Sequence, residues 1–177
     1  MKQGQRGFTS IELLVATAII ALIAGAATMT TFSVLRDTEH TNDRMTVVRQ
    51  VENAGFWISQ DTLMADRVCA DNLTPPDFLV VDWTEWGYDD DSIYHSVTYS
   101  IEDISEGIGR LKRTHQDSGG TNEQMLVANY IYYNQSDPDN TSDVSYQEAV
   151  LTLKIASVFG DAQEMREYKV YQRPNFQ

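Results

Sequence analysis

At 177 residues, with a formal charge of −13 at pH 7 and an isoelectric point near 4.4, the chain lacks the basic footprint that a phosphate backbone demands. No nucleic acid is therefore expected among its partners, and the surplus acidity reads as a solvated, self-repelling surface. Cys69 stands alone, which excludes an internal disulfide and leaves packing to hold any folded part together.

Residues 1–7 carry Lys2 and Arg6 as their only charges, and the run that follows, from Phe8 to Phe32, holds a single charged residue, Glu12. As a helix that run reaches roughly 37 Å, enough to cross a bilayer, with the basic flank on the cytoplasmic side. A cleaved secretory signal would have an apolar core of about 7–15 residues before a small-residue site such as Ala24-Gly25-Ala26. This run is too long for that, and Glu12 interrupts it. An ordinary anchor would lose the carboxylate, which costs about 2.5–3.5 kcal/mol in hydrocarbon on insertion scales. A buried helix of a soluble protein fails because the run is apolar on every face.

Gly7-Phe8-Thr9-Ser10-Ile11-Glu12, after a short basic leader and before Leu13-Leu14-Val15, resembles the processing motif of type IV pilins and pseudopilins. The resemblance implies a cut between Gly7 and Phe8 by a prepilin peptidase, then N-methylation of Phe8, with Glu12 the fifth residue of the mature chain. It also implies the remaining partners: other pilin or pseudopilin subunits, the inner membrane and an assembly platform. The new Phe8 amine of a neighbouring subunit would pair with Glu12, so that helices stack where the charges meet. Such a chain is single-pass in the cytoplasmic membrane before assembly, and extracytoplasmic or in a cell-surface filament after it.

No proline precedes Pro75, so one helix is free to run from Phe8 through the polar stretch at 36–44, which reads as an exposed stalk or a local break. Beyond it Met45, Val48, Val51, Gly55, Ile58 and Thr62 recur at helical spacing, with Phe56, Trp57 and Leu63 alongside. This stripe suits packing on a sheet, with Phe56 and Trp57 in the core. The proline-bearing segment at 72–77 is expected to end the helix, with Cys69 a small apolar residue near that end. The period then changes: 78–86, 92–101, 109–115, 126–133, 146–158 and 165–172 are rich in Val, Ile, Tyr and Phe and read as antiparallel strands.

The segments Val97-Thr98-Tyr99-Ser100-Ile101, Gly109-Arg110-Leu111-Lys112-Arg113, Ala149-Val150-Leu151-Thr152-Leu153 and Tyr168-Lys169-Val170-Tyr171-Gln172-Arg173 are similar to the head of minor pilins and of a minor pseudopilin of type II secretion. Many shaft pilins differ, having a C-terminal disulfide loop and a proline kink in the membrane helix. The expected class is α+β, pilin-like, with a long N-terminal helix packed on an antiparallel β-sheet head. The expected segments are a leader at 1–7, a transmembrane or filament-core helix at 8–32, its amphipathic half at 33–72 and a β-rich head at 73–177.

Catalytic chemistry is not legible, and no cofactor is called for. His40, His95 and His115 are isolated, and no nucleophile arrangement or phosphate-cradling loop is visible. Asp137, Asp139, Thr141 and Asp143 alternate in DPDNTSD, and Asp89-Asp90-Asp91 forms a second acidic cluster. Lacking the turn glycine and closing glutamate of an EF-hand, the first reads as a solvated loop, with Asp137, Asp139 and Asp143 as weak calcium candidates. Some major pseudopilins bind calcium through a loop, but their ligands find no residue-by-residue match here. The reading is a structural subunit, a minor pilin or pseudopilin, of a type IV pilus-like or type II secretion filament, and not an enzyme. The alternative is an adhesin or ligand-binding head, with Trp83, Trp86 and Tyr88 as its candidate patch.

Overall fold

The computed structural model describes residues 9–71, 73, 76–87 and 91–172. Among them lie one helix, α1 (Ser10–Met64), and eight strands: β1 (Arg67–Cys69), β2 (Asp77–Trp86), β3 (Ser92–Ser105), β4 (Ile108–Asp117), β5 (Asn122–Tyr132), β6 (Asp143–Gln147), β7 (Val150–Phe159) and β8 (Ala162–Tyr171). The chain divides into two compact units, Met1–Thr41 and Asn42–Gln177.

In the first unit α1 carries no charged residue from Leu13 to Leu35. An 18-residue window near its N-terminus has a mean hydropathy of 2.2, and the chain buries none of it. Ile11, Leu13, Leu14, Ile19, Leu22, Ile23, Met29 and Phe32 are all more than half exposed. Thr17, Thr28, Thr30 and Thr31 each donate a hydroxyl hydrogen bond to a carbonyl three or four residues back. Hydroxyls satisfied by their own helix are what hydrocarbon tolerates.

In the second unit one face of α1 closes over the sheet. Val47, Val51, Ala54, Gly55, Ile58, Asp61 and Thr62 are buried, so the expected stripe holds at Val51, Gly55, Ile58 and Thr62, while Val48 is half-buried and Met45 is exposed. Val51, Ala54 and Ile58 pack with Leu79, Val81, Val97, Tyr99, Leu111, Leu151, Leu153 and Ile155 from four strands. Trp57 lies against this cluster, whereas Phe56 is 56% exposed, which corrects the expectation that both are core. The reason is angular: one residue turns a helix by about 100°, so Phe56 leaves the face that Gly55 occupies. Gly55 is required there, because a Cβ would lie 2.3 Å from Cζ of Tyr168.

The sheet is antiparallel in every pairing, in the order β1-β2-β3-β4-β5-β7, and β7 also pairs with β6 and β8. Two of the differences from the sequence reading have a visible physical cause. The helix ends at Met64 instead of at the proline segment, because Asp66 N–H donates to the Asp82 carbonyl at 2.8 Å and Thr84 N–H donates to the Asp66 carboxylate at 2.7 Å. Pairing with β2 thus draws the chain out of the helix, and Cys69 sits half-buried in β1 opposite Val80, not at a helix end. The expected strand at 146–158 is two strands, β6 and β7, joined by Glu148 and Ala149 with φ of 50° and 61°. Neither residue carries the glycine signal of such a turn.

Candidate functional site

Thr9 and Glu12 cap α1 reciprocally. Thr9 N–H donates to Glu12 Oε2 at 2.9 Å, Thr9 Oγ1 donates to the same oxygen at 2.8 Å, and Glu12 N–H donates to Thr9 Oγ1 at 3.4 Å. This is a Thr-x-x-Glu capping box, which satisfies amides the helix leaves open and sets a carboxylate at the positive end of the dipole. The sequence carried that signal in Thr9-Ser10-Ile11-Glu12, beside the motif that gave Glu12 its other reading. Gly7 and Phe8, the expected cleavage and methylation positions, lie outside the described residues. Gly25 meets nothing within 4 Å where a Cβ would stand, so the chain's own packing does not demand it.

In the second unit the acidic loop at 137–143 does not gather its carboxylates on one point. Asn140 Nδ2 donates to both Asp137 oxygens, at 3.1 and 3.2 Å. Lys154 Nζ donates to the carbonyls of Pro138, at 3.1 Å, and Asp139, at 2.5 Å. An ammonium group thus takes the loop carbonyls that a calcium ion would otherwise seek. Asp143 opens β6 opposite Lys154 of β7. Of the second acidic cluster, Asp89 and Asp90 lie outside the described residues, as does Tyr88.

Trp83 and Trp86 face opposite sides of β2. Trp83 stacks on His95 and His115, while Trp86 is 75% exposed. The two histidines, isolated in sequence, are brought together: His95 Nδ1 and His115 Nε2 stand 3.1 Å apart. No spacing in the sequence announces this contact, since it depends on the register of β3 against β4. His40 lies on α1 in the first unit.

Asp61, 2% exposed on α1, accepts from Arg113 and from the Tyr99 hydroxyl. Burial and the Asp61 charge push the Tyr99 hydroxyl well above its ordinary value. Burial, the largest single influence, would lower the Arg113 guanidinium, but the hydrogen bonds and charges of Asp61 and Tyr99 together outweigh it and hold the group above its usual value. This cluster ties helix to sheet and offers no open position for a substrate.

A family model described as the prokaryotic N-terminal methylation motif matches residues 2–28. No curated protein and no solved structure matches the chain.

Proposed function

We propose that a chain opening with the N-terminal methylation motif of type IV pilin-like prepilins is a structural subunit, a minor pilin or pseudopilin, of a type IV pilus-like or type II secretion filament. The observation that carries this reading is the motif set directly against a helix whose apolar side chains the chain leaves uncovered. Lipid covers such a surface before assembly, and the helices of neighbouring subunits cover it afterwards. Residues 1–7 are the leader, 8–32 the membrane and filament-core helix, 33–72 its amphipathic continuation and 73–177 the head.

Prepilin peptidase cuts between Gly7 and Phe8, Phe8 is methylated, and Glu12 then exchanges part of its cap for the amine of a neighbour. Assembly through an assembly platform places the head outside the cytoplasmic membrane. Intact mass of filament-derived protein tests this: the chain should begin at methylated Phe8, and a mature chain beginning after Ala26 overturns it. Replacing Gly7 by a bulky residue should leave uncut precursor in the membrane.

A displayed adhesin is the second reading, favoured by Trp86 and Tyr94, 75% and 49% exposed on adjacent strands near the β2–β3 tip. Under that reading Trp86→Ala keeps filament yield and abolishes attachment to the target surface. Attachment unchanged in that variant removes it.

A further inference from the structure

His95 on β3 and His115 on β4 are set side by side by strand register, on the face of the sheet that carries Val97 and Tyr99 into the core. Trp83, the β2 partner of His95, lies over both imidazoles with centroids 5.0 and 5.7 Å away and planes within 15° and 10°. His95 is 9% exposed, and its Nε2 lies 3.3 Å from a carboxylate oxygen of Glu85.

We propose that His95 Nδ1 and His115 Nε2 form a two-imidazole site for a borderline divalent transition metal, with Cu(II) the strongest binder and water completing the coordination. Their 3.1 Å separation is the first support. Metal–nitrogen bonds of about 2.0–2.1 Å hold adjacent nitrogens about 2.9 Å apart at a right angle and about 3.3 Å apart at the tetrahedral angle. The observed distance falls between these limits. The second support is Glu85, because a metal-ligating histidine ordinarily gives its other ring nitrogen to a carboxylate, which fixes the tautomer and leaves the ligating nitrogen bare. Glu85 Oε2 stands 3.3 Å from His95 Nε2, without hydrogen-bond geometry, so its charge faces the nitrogen that carries the proton when Nδ1 ligates.

Neutral His115 needs only to move its proton from Nε2 to Nδ1 to present a lone pair, so both ligands enter uncharged. Arg113, two residues before His115 on the same strand, has its charge offset by Asp61. Asp117, the strand partner of His95, adds a second carboxylate near the pair. Imidazole donors select Cu, Ni and Zn over Ca, which separates this site from the 137–143 loop. Among the described residues no group of three His, Cys, Asp or Glu is placed to hold a metal. The site therefore has two protein donors and open positions, and binds more weakly than a closed four-ligand site.

Trp83 supplies the readout. The full-length chain, without a histidine tag and in detergent micelles, is titrated with Cu(II) while tryptophan emission is followed. One equivalent should quench emission with saturation, and Trp83→Phe should lose most of that quench while equilibrium dialysis still finds the copper bound. His115→Asn and His95→Asn should each weaken binding at least tenfold, with His40→Asn as the unaffected control. Because His95 is buried and its variant is prone to misfold, copper electron paramagnetic resonance on the unaltered chain provides an independent decision. Coupling to two imidazole nitrogens is the expected spectrum. A spectrum of oxygen ligands alone, or binding unchanged in His115→Asn, overturns the site.

Discussion

Arg113 holds Asp61 at two points, Nε 2.7 Å from Oδ2 and Nη2 3.0 Å from Oδ1, across a sequence separation of 52 residues. The Trp57 ring lies 5.5 Å from the same guanidinium, so three side chains of α1 and β4 form one clasp between helix and sheet. Asp61→Asn leaves the guanidinium buried without its counter-charge and should lower the unfolding free energy by about 3 kcal/mol. Urea denaturation followed by circular dichroism measures it. A loss below about 1 kcal/mol would mean that apolar packing alone holds the helix down.

Tyr99 donates to the same carboxylate, and burial followed by the Asp61 charge raises its pKa in the folded state. The unfolded tyrosine ionises first, near pH 10, while the folded one keeps its proton. Its contribution is therefore whole below about pH 10 and is lost as the pH rises beyond it. Tyr168 and Tyr94 are raised as well, both chiefly by burial, and add to the same trend. Melting temperatures between about pH 8 and 11 should fall steeply at the alkaline end, and less steeply in Tyr99→Phe. Equal slopes in the two proteins would remove Tyr99 from the account.

Glu148 and Ala149 hold left-handed backbone angles that favour glycine and asparagine. Ala149→Gly should stabilise the second unit by about 0.5–1 kcal/mol, and Glu148→Asn should add to it. Thermal melting checks this, and a lower melting temperature for Ala149→Gly would contradict the turn geometry.

Glu12 has two roles to separate, the cap with Thr9 seen within the chain and the proposed pairing with a neighbour's Phe8 amine. Thr9→Ala keeps the carboxylate and loses only the capping hydroxyl, about 1 kcal/mol of local helix stability. Glu12→Gln keeps the shape and loses the charge, and Glu12→Leu removes a residue that bilayer scales penalise. Processing should survive in all three, filament incorporation should fall in both Glu12 variants, and Glu12→Leu should gather in the membrane. Cell fractionation against sheared filaments reads each outcome. If Thr9→Ala assembles as poorly as Glu12→Gln, capping rather than pairing explains the carboxylate.

The N-terminal features needed no tertiary structure to be legible. A glycine-phenylalanine step, a lone Glu12 and a run without proline are local signals, and a helix that satisfies its own backbone reports its nature within its own residues. Strands with alternating or β-branched sequence, such as β2 and β3, were equally legible because side-chain alternation is a property of one strand.

What only the tertiary structure decided depends on register between distant segments. The helix ends at Met64 because β2 captures Asp66, not because of any breaker there. Asp61 is buried because Arg113 and Tyr99 await it on other strands, a polar residue inside the stripe that periodicity counts against. His95 and His115 touch, Trp83 stacks on both, and Lys154 fills the acidic loop, each by pairing of strands. Hydrophobic period specifies which face of an element is apolar, but partners across a sheet are fixed by hydrogen-bond register, which no single segment encodes.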